Sequence, residues 1–280
     1  MKRPSYRQFA LFTTALTGVL VALGVYTAAT GSGLACSQQW PLCDGGVLPQ
    51  SIPSFIEWFH RLVAMITGFV IVGLVAAAWR GQQDRETTLY ATAALVLLPF
   101  QISVGAITVT LNGAIPWGYS VPTHAAHLLF ALAIFTALTL STLRASAGSF
   151  DRSALDRSRL AVGAALLLVP LNYLVSRVSP MIDYGPATQG AFVLTALGAF
   201  AALVAAAVWL PETRLARYRP GVVVAGGAVF LVMLLGRDLV VYTADARLVN
   251  GLLYLLALAA LAVVALAARD GGDNDRTALA

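Results

Sequence analysis

Eight stretches of this 280-residue chain run for about twenty residues with almost no charge, and nothing else in it constrains the fold as much. They lie at about 7–29, 58–79, 88–111, 121–143, 158–176, 187–209, 221–243 and 248–268. A run of that length matches the roughly 30 Å hydrocarbon core of a bilayer. Inside lipid each run must satisfy its own backbone hydrogen bonds. The sequence therefore predicts an all-α membrane protein of eight transmembrane helices. The seventh run is the least regular, because Arg237 and Asp238 interrupt it. A mean hydropathy of +0.79 with only 11% charged residues excludes an ordinary soluble domain. The first run is longer than a signal-peptide core and no clear cleavage site follows it, so it reads as a retained span.

Lys and Arg set the expected orientation. With both termini in the cytoplasm, 14 of the 18 basic residues fall inside, leaving Arg61, Arg177, Arg237 and Arg247 outside. The net charge of +5 is thus a topology signal. The basic residues are scattered over short loops, which excludes a nucleic-acid surface. The two cysteines, Cys36 and Cys43, fall in the first outer loop, about Thr30 to Ile56, with Gly33, Pro41, Gly45 and Gly46 around them. A disulfide persists outside the cytoplasm, and the turn-rich loop favours one here. Two cysteines alone do not build a tetrahedral metal site. A loop this long is also a functional candidate.

The chain reads as a four-helix unit repeated. LVAAAW (74–79) matches LVAAAVW (203–209) at Trp79 and Trp209, and the same offset pairs Gly68 with Gly198. SVGAITV (103–109) aligns with LLGRDLV (234–240), pairing Gly105 with Gly236, and HLLFALA from His127 aligns with GLLYLLA from Gly251. The expected organisation is residues 1–145 as one half, 146–157 as a cytoplasmic linker, 158–269 as the second half and 270–280 as a disordered polar tail. In this register His60 faces Gly190, His127 faces Gly251 and Glu57 faces Ala187. The second half has no histidine, and Gln189, Asn250, Met181 and Tyr254 are its nearest substitutes as ligands.

The chemistry-bearing residues therefore concentrate in the first half. Glu57 and His60 stand three apart in IEWFHRLVA (56–64), on one helical face, with Arg61 next to them. Ionisable groups at a membrane mouth are costly and are functional candidates. The competing reading is interfacial anchoring by Glu57, Trp58 and Arg61. His124 and His127 stand three apart in PTHAAHLLFAL (122–132). His127 is deeper and is the better ligand, whereas His124 is suited to holding a propionate or passing a proton. Imidazole is a good iron ligand, and histidines from facing helices commonly build a cofactor site in a bundle. His60 and His127 enter their spans at matching depth and would clamp a metalloporphyrin. The competing reading is a pair of buried, hydrogen-bonded histidines with no metal. Gln101, Ser103, Thr108 and Thr110 read as interhelical hydrogen-bonding groups, with Gly105 permitting close approach. Arg237, Asp238, Asp245 and Arg247 read as ion pairs.

GSGLACSQQWPLCDGGVLP (31–49), IEWFHRLVA (56–64), QISVGAITV (101–109) and the HLLFAL run at His127 closely resemble the haem A synthase family. The resemblance is specific in the first 145 residues. It implies a multi-pass protein of the prokaryotic cell membrane, a tandem four-helix repeat, that oxidises the C8 methyl of haem O to a formyl group. The product, haem A, serves terminal oxidases. It also implies that His60 and His127 hold the iron of haem O, that Arg61 and His124 help to bind it, and that Glu57 is a catalytic carboxylate. Cys36 and Cys43 would form the loop disulfide. The implied partners are haem O, a haem O synthase, an electron donor and the lipid bilayer, with a homo-oligomer, trimeric or larger, compatible with the family. Family members of this size usually hold a haem b in the second half, and the histidines for it are missing here. The main rival reading is a non-enzymatic bis-histidine haem protein for electron transfer or haem delivery. A repeat-built transporter would carry matched helix breaks, and Pro99 and Pro170 do not match.

Overall fold

The computed structural model describes residues 5–36, 39, 42–110, 121–147, 152–236 and 243–277. Eight long helices dominate them: α1 (Tyr6–Ala29), α2 (Ile52–Arg80), α3 (Arg85–Thr110), α4 (Val121–Ala145), α5 (Ala154–Leu174), α6 (Pro186–Trp209), α7 (Arg219–Leu235) and α8 (Ala244–Thr277). Each apolar run of the sequence is helical over most of its described residues; α7 ends at Leu235, and residues 237–242 of the seventh run lie outside the described residues. Seven of these helices are long and apolar enough to cross a membrane, which makes this a multi-pass membrane protein. The one that falls short is α5, because Asp156, Arg157 and Arg159 occupy its opening turns. Both α3 and α5 continue through an internal proline, Pro99 and Pro170, as bundled membrane helices tolerate.

Local chemistry moves one boundary that matters for the site. Ser51 caps α2, its hydroxyl accepting from the Ser54 amide at 3.3 Å, and Pro53 sits in the first turn, where its missing N–H costs nothing. The helix therefore starts six residues ahead of the apolar run, and His60 lies more than two turns inside α2 rather than at its mouth. At the other end of the chain, α8 continues to Thr277 through the polar stretch from Asp270 for which the sequence predicts disorder. Residues 278–280 lie outside the described residues, as do Arg237 and Asp238 of the expected ion-pair cluster. Of that cluster, Arg247 donates to the Arg177 carbonyl at 3.5 Å.

The helices fall into two compact units. The first is Met1–Gly148 with Gly185–Gly190, and the second is Ser149–Tyr184 with Ala191–Ala280. In the first, α1 packs on α2 and α4, and α3 packs on the same two, closing a ring of four. Its core gathers Ala10, Ile71, Leu74, Ala94, Ile134, Ala137 and Leu138. Hydroxyls join the helices between these layers. Thr14 meets Thr142 at 2.9 Å, Tyr6 meets Ser141 at 3.3 Å, and Ser141 donates to the Thr87 carbonyl at 3.0 Å. The outward faces carry exposed Leu11, Phe12, Phe69 and Trp79. Small and hydroxyl residues between the helices, with large apolar ones also on the outer faces, is the pattern of helices packed in lipid. In the second unit α8 packs on α5 and α7. Phe200 of α6 meets Phe230 of α7 at 6.2 Å between ring centres, and Asn172 of α5 bonds to α6.

Candidate functional site

The outer loop is fastened to α2 through one buried carboxylate. Glu57 is 2% exposed. Its Oε2 accepts from the Cys36 backbone N–H at 2.8 Å, and its Oε1 is paired with Arg61 one turn further on. Arg61 Nη1 also donates to the carbonyls of Gln39 and Leu42, at 2.8 and 3.0 Å. Cys36 and Cys43 are joined in a disulfide. A tight turn follows, with Asp44 at φ 51° and Gly45 at φ 75°, in the left-handed region that Asp-Gly tolerates. Cys43 and Gly46 exchange backbone hydrogen bonds at 3.2 and 2.9 Å across it. The Asp44 carboxylate then accepts from the Gln50 amide at 2.8 Å and from the Ser54 hydroxyl at 3.1 Å. The guanidinium of Arg61, expected to bind haem, is thus committed to Glu57 and the loop backbone.

Both candidate ligands lie against a glycine of a neighbouring helix. A Cβ added to Gly24 of α1 would fall 2.9 Å from Nε2 of His60. A Cβ added to Gly105 of α3 would fall 2.9 Å from Cε1 and 3.4 Å from Nδ1 of His127. Each imidazole rests on bare backbone that no other residue type offers. His60 is within electrostatic range of His127 and of Arg61. On α3, Gln101 stands one turn before Gly105, and its amide nitrogen is 3.3 Å from Nε2 of His127. His124, half-buried, lies one turn before His127 on α4. All four helices of the first unit therefore contribute: shelves from α1 and α3, imidazoles from α2 and α4. The sequence picks out the histidines and Glu57. It does not single out Gly24 or the pairing of Gln101 with His127, since glycine and glutamine in a span read first as packing.

Among the described residues no group of three or more His, Cys, Asp or Glu side chains is placed to hold a metal ion. Two imidazoles are too few for a bare ion. They suffice for a porphyrin iron, whose macrocycle supplies the other nitrogens. The residues of the first unit fit that group.

Those of the second unit do not. Where His127 lies on Gly105, the ring of Phe192 lies on the aligned Gly236, so that an added Cβ there would be 2.5 Å from Cζ. Phe192 is fully buried and meets Tyr184 edge-on at 6.0 Å. Beneath it Asn172 donates to the Phe192 carbonyl at 2.6 Å and accepts from the Tyr254 hydroxyl at 2.6 Å. The Tyr254 ring meets Tyr173 edge-on at 5.3 Å.

One comparison with known proteins covers the stretch that bears the histidines. The cytochrome oxidase assembly protein family (COX15-CtaA) matches residues 51–178. "Heme A synthase" of Bacillus pumilus is 31% identical over 144 residues, 49% of this chain and 47% of that protein. "Heme A synthase" of Halalkalibacterium halodurans is 30% identical over 190 residues, 65% of this chain and 62% of that protein. "Protoheme IX farnesyltransferase" of Halobacterium salinarum is 36% identical over 155 residues, 53% of this chain and 32% of that protein. The chain thus spans between about a third and under two thirds of the length of these relatives. Over residues 51–178, the stretch that carries its three histidines, the chain is similar to the cytochrome oxidase assembly protein family.

Proposed function

We propose that this protein takes part in haem A biosynthesis, oxidising the C8 methyl of haem O to a formyl group in its first unit. The observation that carries the reading is the pair of imidazoles from α2 and α4, each on a glycine shelf and within electrostatic range of the other. His60 and His127 would hold the iron. When bound, the iron porphyrin supplies the redox chemistry that side chains lack. Glu57, one turn from His60, is fixed by Arg61 and the Cys36 amide. Held there, it would place negative charge near a porphyrin bound through His60 and would offset positive charge on it. Arg61 keeps that carboxylate in place and seals the loop over the end of α2. His124 serves a propionate or a proton path near the mouth of α4.

The names of the relatives support the place of this reaction. A farnesyltransferase acting on protohaem makes the farnesylated porphyrin that a haem A synthase would consume, and one protein of that name is similar to 53% of this chain. A haem O synthase is therefore the partner expected to deliver substrate. The packed interior of the second unit supports one porphyrin per chain, with dioxygen as the oxidant of the methyl group and the reducing equivalents for its activation arriving from a separate donor. The same cyclic order of helices within each unit supports the tandem-repeat reading, with both termini on the cytoplasmic side.

The test is mass spectrometry of haems extracted from the full chain, purified from cells that make haem O. Haem A, or its alcohol precursor, above the level in a His60→Ala control supports the oxidation. Haem O alone, bound but unchanged and equal in Glu57→Gln, leaves the bis-histidine binding protein as the correct reading.

A further inference from the structure

The second unit carries a cleft of about 310 Å³ at the end where α5 begins and the apolar part of α8 stops. Gly163, one turn after Arg159 on α5, leaves room there, since a Cβ added to it would meet nothing within 4 Å. Val162, Leu166, Leu215 and Val264 make part of the lining apolar, and Arg159 and Arg269 line the same cleft. The Arg159 guanidinium is held in place. Its Nη2 donates to the Ala268 carbonyl at 2.6 Å, beside the backbone of Arg269, and its Nη1 stands 3.7 Å from Asp156 Oδ1. Arg269 is exposed. Arg157 is committed elsewhere, to Glu212 at 3.4 Å and to the face of the Trp209 ring at 5.4 Å. The cleft therefore sets two arginines against the single carboxylate of Asp156. Trp209 directly precedes Leu210 in the cleft lining, and Tyr218 follows Leu215 by three residues. Tryptophan and tyrosine favour the headgroup level of a bilayer, which is where a basic rim over an apolar wall meets lipid.

We propose that this cleft binds an anionic phospholipid, with its phosphate between Arg159 and Arg269 and the start of an acyl chain against Val162, Leu166 and Val264. Guanidinium groups suit phosphate oxygens through paired, charge-assisted hydrogen bonds, and basic pockets between transmembrane helices are seats for anionic headgroups. A free phosphate would gain nothing from the apolar wall, and a neutral hydrocarbon would gain nothing from the arginines. The two linings side by side match a molecule that has both parts. A choline headgroup would bring a further cation against the arginines, so a lipid of net negative charge is preferred to phosphatidylcholine. The site lies in the unit without histidines and does not depend on the haem reading.

Native mass spectrometry of the detergent-purified full chain, given equal amounts of phosphatidylglycerol and phosphatidylcholine, counts the lipid that stays bound. The wild type should retain phosphatidylglycerol in preference. R269Q should bind it about fivefold more weakly. G163L, which fills the space beside the apolar wall and keeps both arginines, should also weaken it, and haem content should be unchanged in both variants. R217Q is the control, because Arg217 is exposed at the same end, lies over the Tyr218 ring at 4.8 Å and does not line the cleft. Its retention should match the wild type. No preference over phosphatidylcholine, equal retention in R269Q, or equal loss in R217Q would overturn the site. Weaker retention in R269Q with G163L unchanged, or displacement of the lipid by excess inorganic phosphate, would overturn the lipid as occupant and leave a bare anion site. If G163L fails to fold, phosphate competition on the wild type decides the same question.

Discussion

At the scale of single residues, the site depends as much on what α1 and α3 lack as on what α2 and α4 carry. A methyl at Gly24 or Gly105 would fall 2.9 Å from an imidazole atom, closer than carbon atoms approach without something moving. Gly105→Val and Gly24→Val should each displace their histidine and abolish haem retention, while detergent-solubilised protein stays monodisperse on size exclusion. Gly163 and Gly227 face open space, so Gly163→Ala and Gly227→Ala should leave haem content unchanged. Equal loss in all four would show that the effect is general to glycine in the spans. A second prediction concerns Glu57, whose charge is 2% exposed and paired with Arg61. Arg61→Ala leaves a buried carboxylate without its counter-charge, a change that costs on the order of 3–5 kcal/mol. A fall in thermal midpoint larger in Arg61→Ala than in an Arg61→Ala/Glu57→Gln double variant would show that the cost is the stranded charge. The histidines and Glu57 were legible in the sequence because ionisable groups in lipid stand out against an apolar background. Gly24 and Gln101 were not, because their meaning lies in which ring they touch, and a sequence does not state contacts between helices.

At the scale of elements, the outer loop behaves as a clasp on the start of α2. The disulfide closes eight residues, and Asp44, Gln39 and Leu42 are each bonded either to α2 or within the loop. A ring of that size removes chain entropy worth about 2–3 kcal/mol. Cys43→Ser should therefore loosen the loop, and limited proteolysis should cut within residues 36–50 faster than in the wild type. Equal cleavage would show that Arg61 and Glu57 hold the loop without the disulfide. Helix positions were legible from apolar run length alone, because lipid permits little else. Helix ends were less so. Ser51 and Pro53 start α2 early, so Glu57 and His60 fall in the second and third turns of the helix rather than at its start. The shortfall of α5 has the same origin in reverse, with polar side chains counted into a helix whose apolar stretch is brief.

At the scale of the whole molecule, the two units share a helix order and differ in what fills them. The first encloses two imidazoles on glycine shelves. The second is packed with Phe192, Tyr254 and Asn172 where a porphyrin would need space. The missing histidines of the second half were legible in the sequence, but the filled interior was not, since Phe192 reads there as one more apolar residue. Phe192→Ala should cost about 3–5 kcal/mol through the cavity it leaves. It should not raise haem content, because no imidazole stands near to hold the iron. The measurement that tests the account most directly is the haem-to-chain ratio of the purified full-length protein, taken with its low-temperature magnetic-resonance spectrum. The account predicts one haem per chain with a bis-imidazole low-spin signal. That signal should be lost in His60→Ala and in His127→Ala and kept in His124→Ala. Two haems per chain, or a bis-imidazole signal that survives His127→Ala, would contradict it.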